Sequence, residues 1–157
     1  MFSSFFCSSN LLPLIVALPL IGSFFILFIP SQNINTIRRI GLFSSFITFF
    51  ISLFLWLFFD KSYVRFQFIW DLAWIPSSNL NLSLGIDGIS IFFVLLTTLL
   101  IPICLLASWD SVKKSYKEYV IAFLFMEALL ILVFCVRDLL LFYIFFESVL
   151  IPMFIII

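Results

Sequence analysis

The apolar positions of this chain fall in long unbroken runs, and five of them are long enough to cross a membrane as helices. A transmembrane helix needs about 20 mostly apolar residues, with a range of about 17 to 25. The first run extends from about Leu11 to Ile29 and is closed by Pro30-Ser-Gln-Asn33. The second extends from about Ile40 to Phe59 and contains no charge. The third, Ile86 to Ala107, admits Asp87 only at its entrance; the fourth covers about Tyr119 to Val136 and the fifth Leu139 to Ile157. Between the second and third the pattern changes to a period of two. Tyr63-Val-Arg-Phe-Gln-Phe-Ile-Trp70 and Leu80-Asn-Leu-Ser-Leu84 alternate around the turn cluster Pro76-Ser-Ser-Asn79. Alternation on either side of a turn predicts a short hairpin on the membrane surface, the alternative being an irregular interfacial loop. Tyr63, Trp70 and Trp74 would then sit at headgroup depth, where amphipathic rings are favoured. The expected fold is an all-α polytopic membrane protein of about five spans, a single membrane domain over residues 1–157.

Composition strengthens this reading and narrows the chemistry. The chain is 65% hydrophobic and only 10% charged, with a mean hydropathy of +1.34. So little polar surface could not cover a water-soluble globule, which carries about 25% charged residues; lipid is its solvent. Eight basic and eight acidic residues cancel, so no field points to a nucleic-acid partner. Histidine is absent, which excludes a bis-histidine haem and the common zinc sites within this chain. Cys7, Cys104 and Cys135 lie far apart without ligand spacing and read as packing residues. No Gly-rich phosphate loop, thiolate cluster or Ser/His/Asp set is present; Gly85-Ile-Asp-Gly88 reads as a turn.

Charge also orients the spans. Arg38 and Arg39 lie between runs one and two, and Lys113, Lys114 and Lys117 between three and four, so these loops share one side. Lys61, Arg65 and Arg137 lie on the other, interleaved with Asp60, Asp71 and Asp138. The excess of basic residues marks the first side as cytoplasm or matrix and places the N-terminus outside. Met1 to Asn10 contains no basic residue and so lacks the features of a signal or transit peptide. With 24 Phe and abundant Ile, Leu and Ser, the chain has the bias of an AT-rich genome, in an organelle or a bacterium.

Charges within spans cost roughly 2.5–3.5 kcal/mol each at a helix centre on insertion scales, and two candidates stand out. Glu147 lies about eight residues, or about 12 Å, into the fifth run, near the midplane. Its short stem cannot reach the interface, so it faces helices or water. Burial disfavours the charged form of a carboxyl, and a carboxyl so poised can take up and release protons. Pro152 removes the helical partner of the Ser148 carbonyl, and Tyr143, one turn before Glu147, offers a hydroxyl. The alternative is a protonated, hydrogen-bonded structural Glu147. Glu127, about eight residues into the fourth run, reads equally as a second proton site or as a polar contact between helices. Thr97, Thr98 and Pro102 read as packing and bending features, and Arg137-Asp138 as a membrane-edge turn.

Several runs resemble subunit 4 of NADH:ubiquinone oxidoreductase. They are Asp138-Leu-Leu-Leu-Phe-Tyr-Ile-Phe-Phe-Glu147-Ser-Val-Leu-Ile-Pro-Met153, Phe66-Gln-Phe68, Leu84-Gly-Ile-Asp-Gly-Ile-Ser-Ile-Phe-Phe93, Leu100-Ile-Pro-Ile-Cys104 and Lys117-Glu-Tyr-Val-Ile-Ala-Phe123. The resemblance implies an Mrp-antiporter-like fold and a proton pathway in respiratory complex I of the mitochondrial inner membrane, with the N-terminus toward the intermembrane space. A bacterial plasma membrane is the alternative. It also implies that Glu147 moves protons together with a lysine on a later helix. NADH, FMN, iron–sulfur clusters and ubiquinone would belong to the rest of the complex, with none bound by this chain. Partners would be the other membrane-arm subunits, the bilayer, and a C-terminal continuation or a separately encoded second half carrying the lysine. No Lys lies inside the five runs, so the chain would not pump alone. Its length fits a partial sequence, a split-gene product or a degenerate copy. The competing readings are a structural scaffold and an Mrp-type sodium/proton antiporter subunit.

Overall fold

The computed structural model of the chain describes residues 11–59, 62, 67–75, 77 and 80–156. The readings of Cys7, Tyr63 and the charges at 60, 61 and 65, and the side chains of Trp70 and Trp74, lie outside what is described. In chain order the elements are α1 (Leu11–Leu27), α2 (Ile34–Leu57), β1 (Gln67–Ile75), β2 (Leu80–Ile86), α3 (Ser90–Ala107), α4 (Tyr116–Cys135) and α5 (Leu139–Ile156). By length and composition α2 to α5 are each able to cross a membrane. Helix α1, at 17 residues, is about 26 Å long and sits at the low end of the spanning range.

The expected hairpin is present. β1 and β2 pair antiparallel, with Trp70 opposite Leu84, Asp71 opposite Ser83 and Leu72 opposite Leu82; register shifts flank this central stretch. The hairpin is also stitched to the α4–α5 connection. Val136 bridges to Leu84, and the Arg137 N–H donates to the Ser83 carbonyl at 3.0 Å. The Arg137-Asp138 turn is therefore tied to the strands by its backbone, a role that its side chains did not announce.

Three helix starts differ from the apolar runs, two of them for one reason. An apolar run measures hydrocarbon depth, whereas a helix continues into the wet interface where charges cost little. Helix α2 begins at Ile34, so Arg38 and Arg39 stand in its second turn and not in a loop. Helix α4 begins at Tyr116 and includes Lys117 in its first turn. Helix α3 begins later than expected, at Ser90, because Ile86 is the last residue of β2. There the Asp87 carboxylate accepts N–H bonds from Ser90 at 2.7 Å and Ile89 at 3.1 Å. It covers donors that a helix start leaves free.

These hydrogen bonds, the Ser90 N–H foremost, hold the Asp87 carboxyl below its ordinary value of 3.8. A depressed value in the folded state means that the carboxylate stabilises the fold at higher pH and loses that effect on acidification. Asp87→Ala is expected to cost about 1 kcal/mol at neutral pH. The gap should be complete above the ordinary value and close as pH falls through the depressed one. Thermal unfolding of both proteins across acid pH checks this, and a pH-independent gap would contradict it.

Two cations pin the end of the bundle opposite the hairpin. The Arg38 guanidinium carbon lies 4.9 Å from the Trp109 ring centre and 5.1 Å from that of Tyr116, and Arg38 also donates to the Trp109 carbonyl. A planar cation between two rings ties α2 to the α3–α4 connection. Lys117 donates to the Leu27 and Ile29 carbonyls at 2.9 and 2.8 Å, capping the acceptors that α1 leaves free at its end. Lys117→Met should lower stability by about 1–2 kcal/mol, the scale of charge-assisted bonds discounted for partial exposure. A thermal scan in detergent that shows no change would contradict the capping role.

Helix α4 is the centre of the bundle and packs against every other helix and β2. One core cluster, toward the hairpin, gathers Leu12, Ile15, Leu55, Ile91, Val94 and Ile131; a second, toward the pinned end, gathers Ile26, Ile37, Ile101, Leu105, Val120 and Leu124. The outward surface of the helices is apolar, with Phe24, Phe43, Phe92 and Phe154 among many exposed rings. That is the surface expected of a body solvated by lipid.

Candidate functional site

Glu147 stands near the middle of the 18-residue helix α5, which buries only Leu141 and Pro152 among its described residues. Those two lie eleven residues apart, about three turns, so they form one line of contact along the bundle. Glu147 is six residues beyond Leu141, roughly 240° around the helix at 100° per residue. It is therefore off that line and exposed on the face that the other four helices leave uncovered. Tyr143, 59% exposed, stands one turn earlier on the same face. Phe142 and Phe146 stack beside them with ring centres 6.1 Å apart. The Ser148 hydroxyl is engaged with the Ile144 carbonyl at 2.8 Å.

Pro152 lies on the opposite side of α5. It is buried and lines an apolar groove of about 610 Å³ with Leu27, Ala122, Phe125, Ile151 and others. So α5 brings Glu147 and Tyr143 together and turns the Pro152 ring toward α4. What Pro152 can add to the Glu147 face is the effect on the Ser148 carbonyl, which a proline four residues on cannot serve with an N–H.

Glu127 occupies a different environment. It stands midway along α4 with 0% exposure, and neither carboxylate oxygen has a hydrogen-bond partner among the described residues. The two glutamates thus face apart: Glu127 is inside the five-helix body and Glu147 is on its outside. The predicted packing role of Thr97 and Thr98 is visible, since both are buried and donate to carbonyls one turn back, Phe93 at 2.9 Å and Val94 at 3.0 Å.

One polar feature went unread in the sequence. Ser44, Ser45, Thr48 and Ser52 are all buried on α2, and the Ser52 and Thr98 hydroxyls meet at 2.9 Å. Their spacing of three to four residues is the helical signature. In so apolar a helix it could have been recognised as an inward polar stripe.

Comparison with known proteins identifies the family of the chain. The family profile described as NADH-ubiquinone oxidoreductase chain 4, amino terminus, matches residues 14–137. The chain is 59% identical over 151 residues to NADH-ubiquinone oxidoreductase chain 4 of Arabidopsis thaliana, covering 96% of this chain and 30% of that one. It is 52% identical over 172 residues to the same-named chain of Prototheca wickerhamii, covering 100% and 33%. It thus spans about a third of the length of these relatives. Among solved structures, a chain of the respiratory complex I from Thermus thermophilus with bound NADH matches with a TM-score of 0.74 and 27% identity, over 90% of this chain and 27% of that one. The chain, 59% and 52% identical to these relatives along nearly all of its length, belongs to the NADH-ubiquinone oxidoreductase chain 4 family and matches its amino-terminal part.

Proposed function

We propose that this chain contributes a proton-relay carboxyl, Glu147, to a proton-translocating membrane subunit of NADH:ubiquinone oxidoreductase in the mitochondrial inner membrane. The observation that carries the reading is the placement of Glu147. It is a carboxyl near the centre of an apolar helix, on the face that this chain leaves open, with Tyr143 one turn away on the same face. A carboxylate there is costly unless a cation or water meets it. The partner in this reading is a lysine outside these residues, on a continuation of the chain or a separately encoded second half.

The mechanism follows from Coulomb's law. An ammonium about 4 Å from a carboxylate is worth about 4 kcal/mol at an effective dielectric of about 20. Its arrival holds Glu147 ionised, and its departure leaves a carboxyl that takes a proton from the water reaching that face. Tyr143 offers a hydroxyl that donates to the ionised form and accepts from the neutral one. Hydride and electron transfer, with NADH, FMN, iron–sulfur clusters and ubiquinone, belong in this reading to other subunits. The basic end of the bundle, carrying Arg38, Arg39, Lys113, Lys114 and Lys117, would face the matrix.

A hydrophobic carbodiimide that reacts with membrane-embedded carboxyls tests the reading in the assembled complex. NADH-driven proton movement should fall in proportion to the Glu147 labelled, as counted by mass spectrometry. Full labelling with undiminished proton movement would exclude Glu147 from the path.

A further inference from the structure

The register of the helices fixes where Glu127 points. A Cβ at Gly41 of α2 would lie 2.7 Å from Val120 Cγ1, and one at Gly22 of α1 would lie 2.3 Å from Ser44 Oγ and 3.6 Å from Leu124 Cδ1. Val120 and Leu124 therefore face the seam between α1 and α2, and α2 runs parallel to α4, Gly41 with Val120 and Ser44 with Leu124. One turn further along, Thr48 is level with Glu127. On the far side, Ile131 shares a core cluster with Ile15, Leu55 and Val94 of α1, α2 and α3. Val120, Leu124, Glu127 and Ile131 form one stripe of α4 at three- to four-residue spacing. Glu127 is thus aimed into the seam of α1, α2 and α3, where the buried hydroxyls lie.

The chemistry of that seam is one-sided. A hydroxyl has a single proton to give, and here each is engaged: Ser44 with the Leu18 carbonyl at 3.3 Å, Thr48 with Ser44 at 2.9 Å, Ser52 with Phe49 at 2.6 Å and Thr98 with Val94 at 3.0 Å. Prolines within the helices remove donors as well. Pro102 of α3 leaves the Thr98 carbonyl without its helical N–H, and Pro19 of α1 does the same to Ile15. The two oxygens of Glu127, without a partner among the described residues, therefore face a seam rich in acceptors and short of donors. A buried carboxyl so placed calls for a ligand that brings protons.

We infer that Glu127 and the hydroxyl seam of Thr48, Ser52 and Thr98 form a buried proton- and water-binding site inside the bundle. It is separate from Glu147 and does not rest on the role given to that residue. A proton on Glu127 supplies the missing donor, and water bridges the remaining acceptors to the hydroxyls of α2 and α3.

Infrared difference spectroscopy of the intact complex, transferred from H2O to D2O, reads the site directly. The carbonyl stretch of a protonated carboxylic acid should be present, shift in D2O, vanish in Glu127→Gln and survive in Glu147→Gln. Ser52→Ala with Thr98→Val should slow the deuterium shift at least severalfold while leaving the band in place. A band unchanged by Glu127→Gln, or one that never shifts in D2O, would overturn the proposal, the latter by showing a dry structural carboxyl. A band that disappears on adding sodium would also overturn it, in favour of a metal cation held by the same oxygens. If Glu127→Gln fails to assemble, the hydroxyl variants decide: a deuterium shift at the wild-type rate counts against the site.

Discussion

Gly22→Leu is expected to prevent α1 from docking on α2, with a loss of roughly 3 kcal/mol or more, beyond the upper end of ordinary overpacking. A Cβ at Gly22 would lie 2.3 Å from Ser44 Oγ and 2.7 Å from Ser44 Cβ. The hydroxyl can rotate, but Ser44 Cβ is fixed to the α2 backbone, so the helices themselves would have to part. The contact is a lipid-style interface, in which small residues let backbones approach closely. The Ser44 hydroxyl uses that proximity to reach the Leu18 carbonyl at 3.3 Å. Gly22→Ala alone should cost about 1–3 kcal/mol, and Ser44→Gly should restore much of it, because the two sites share one contact and their effects are not additive. Gly88, where a Cβ would meet nothing within 4 Å among the described residues, supplies the control, since alanine there adds no clash with them. Thermal unfolding and the yield of solubilised protein check the set. Equal losses at Gly22 and Gly88 would contradict the packing account.

Glu147→Gln carries the largest functional effect. The side chain is exposed on α5, away from the Leu141 and Pro152 contact line, so the bundle gains nothing from its charge and assembly should be unaffected. Glutamine keeps the shape and hydrogen-bonding capacity of the carboxyl but cannot exchange a proton. Coupled turnover should fall by roughly 10²-fold or more, the scale of removing a positioned acid–base group. Glu147→Asp moves the carboxyl by about one methylene and should retain part of the activity. Tyr143→Phe removes only a neighbouring hydroxyl and should do less harm than Glu147→Gln. The measurement is NADH oxidation in sealed membranes with the amount of complex held constant. A Gln variant with normal coupled turnover would remove Glu147 from the path.

How much of this was readable beforehand depended on what each residue had to satisfy. The five helices follow from run length, because only a helix meets all of its backbone hydrogen bonds in lipid. The hairpin followed from period-two alternation. Helix starts were less legible: Arg38 and Lys117 looked like loop charges until their partners appeared, the Trp109 and Tyr116 rings and the Leu27 and Ile29 carbonyls. Those contacts join residues distant in sequence, and local pattern carries no trace of them. Glu147 and Tyr143 could be paired from their spacing alone, because i and i+4 share a helix face. Pro152 could not be placed on the opposite face without knowing which side of α5 meets α4. Glu127 was poised between two readings for the same reason. Its burial, and the absence of a partner for its oxygens among the described residues, depend on the seam that α1, α2 and α3 build against α4.

The most direct test of the central claim is the number of protons moved per NADH oxidised, in sealed vesicles carrying the complete complex with Glu147→Gln. If Glu147 is the relay carboxyl, any oxidation that remains moves fewer protons than in the unaltered complex, and Glu147→Asp recovers part of the difference. An unchanged ratio, with Glu147→Gln present at full occupancy, would contradict the account.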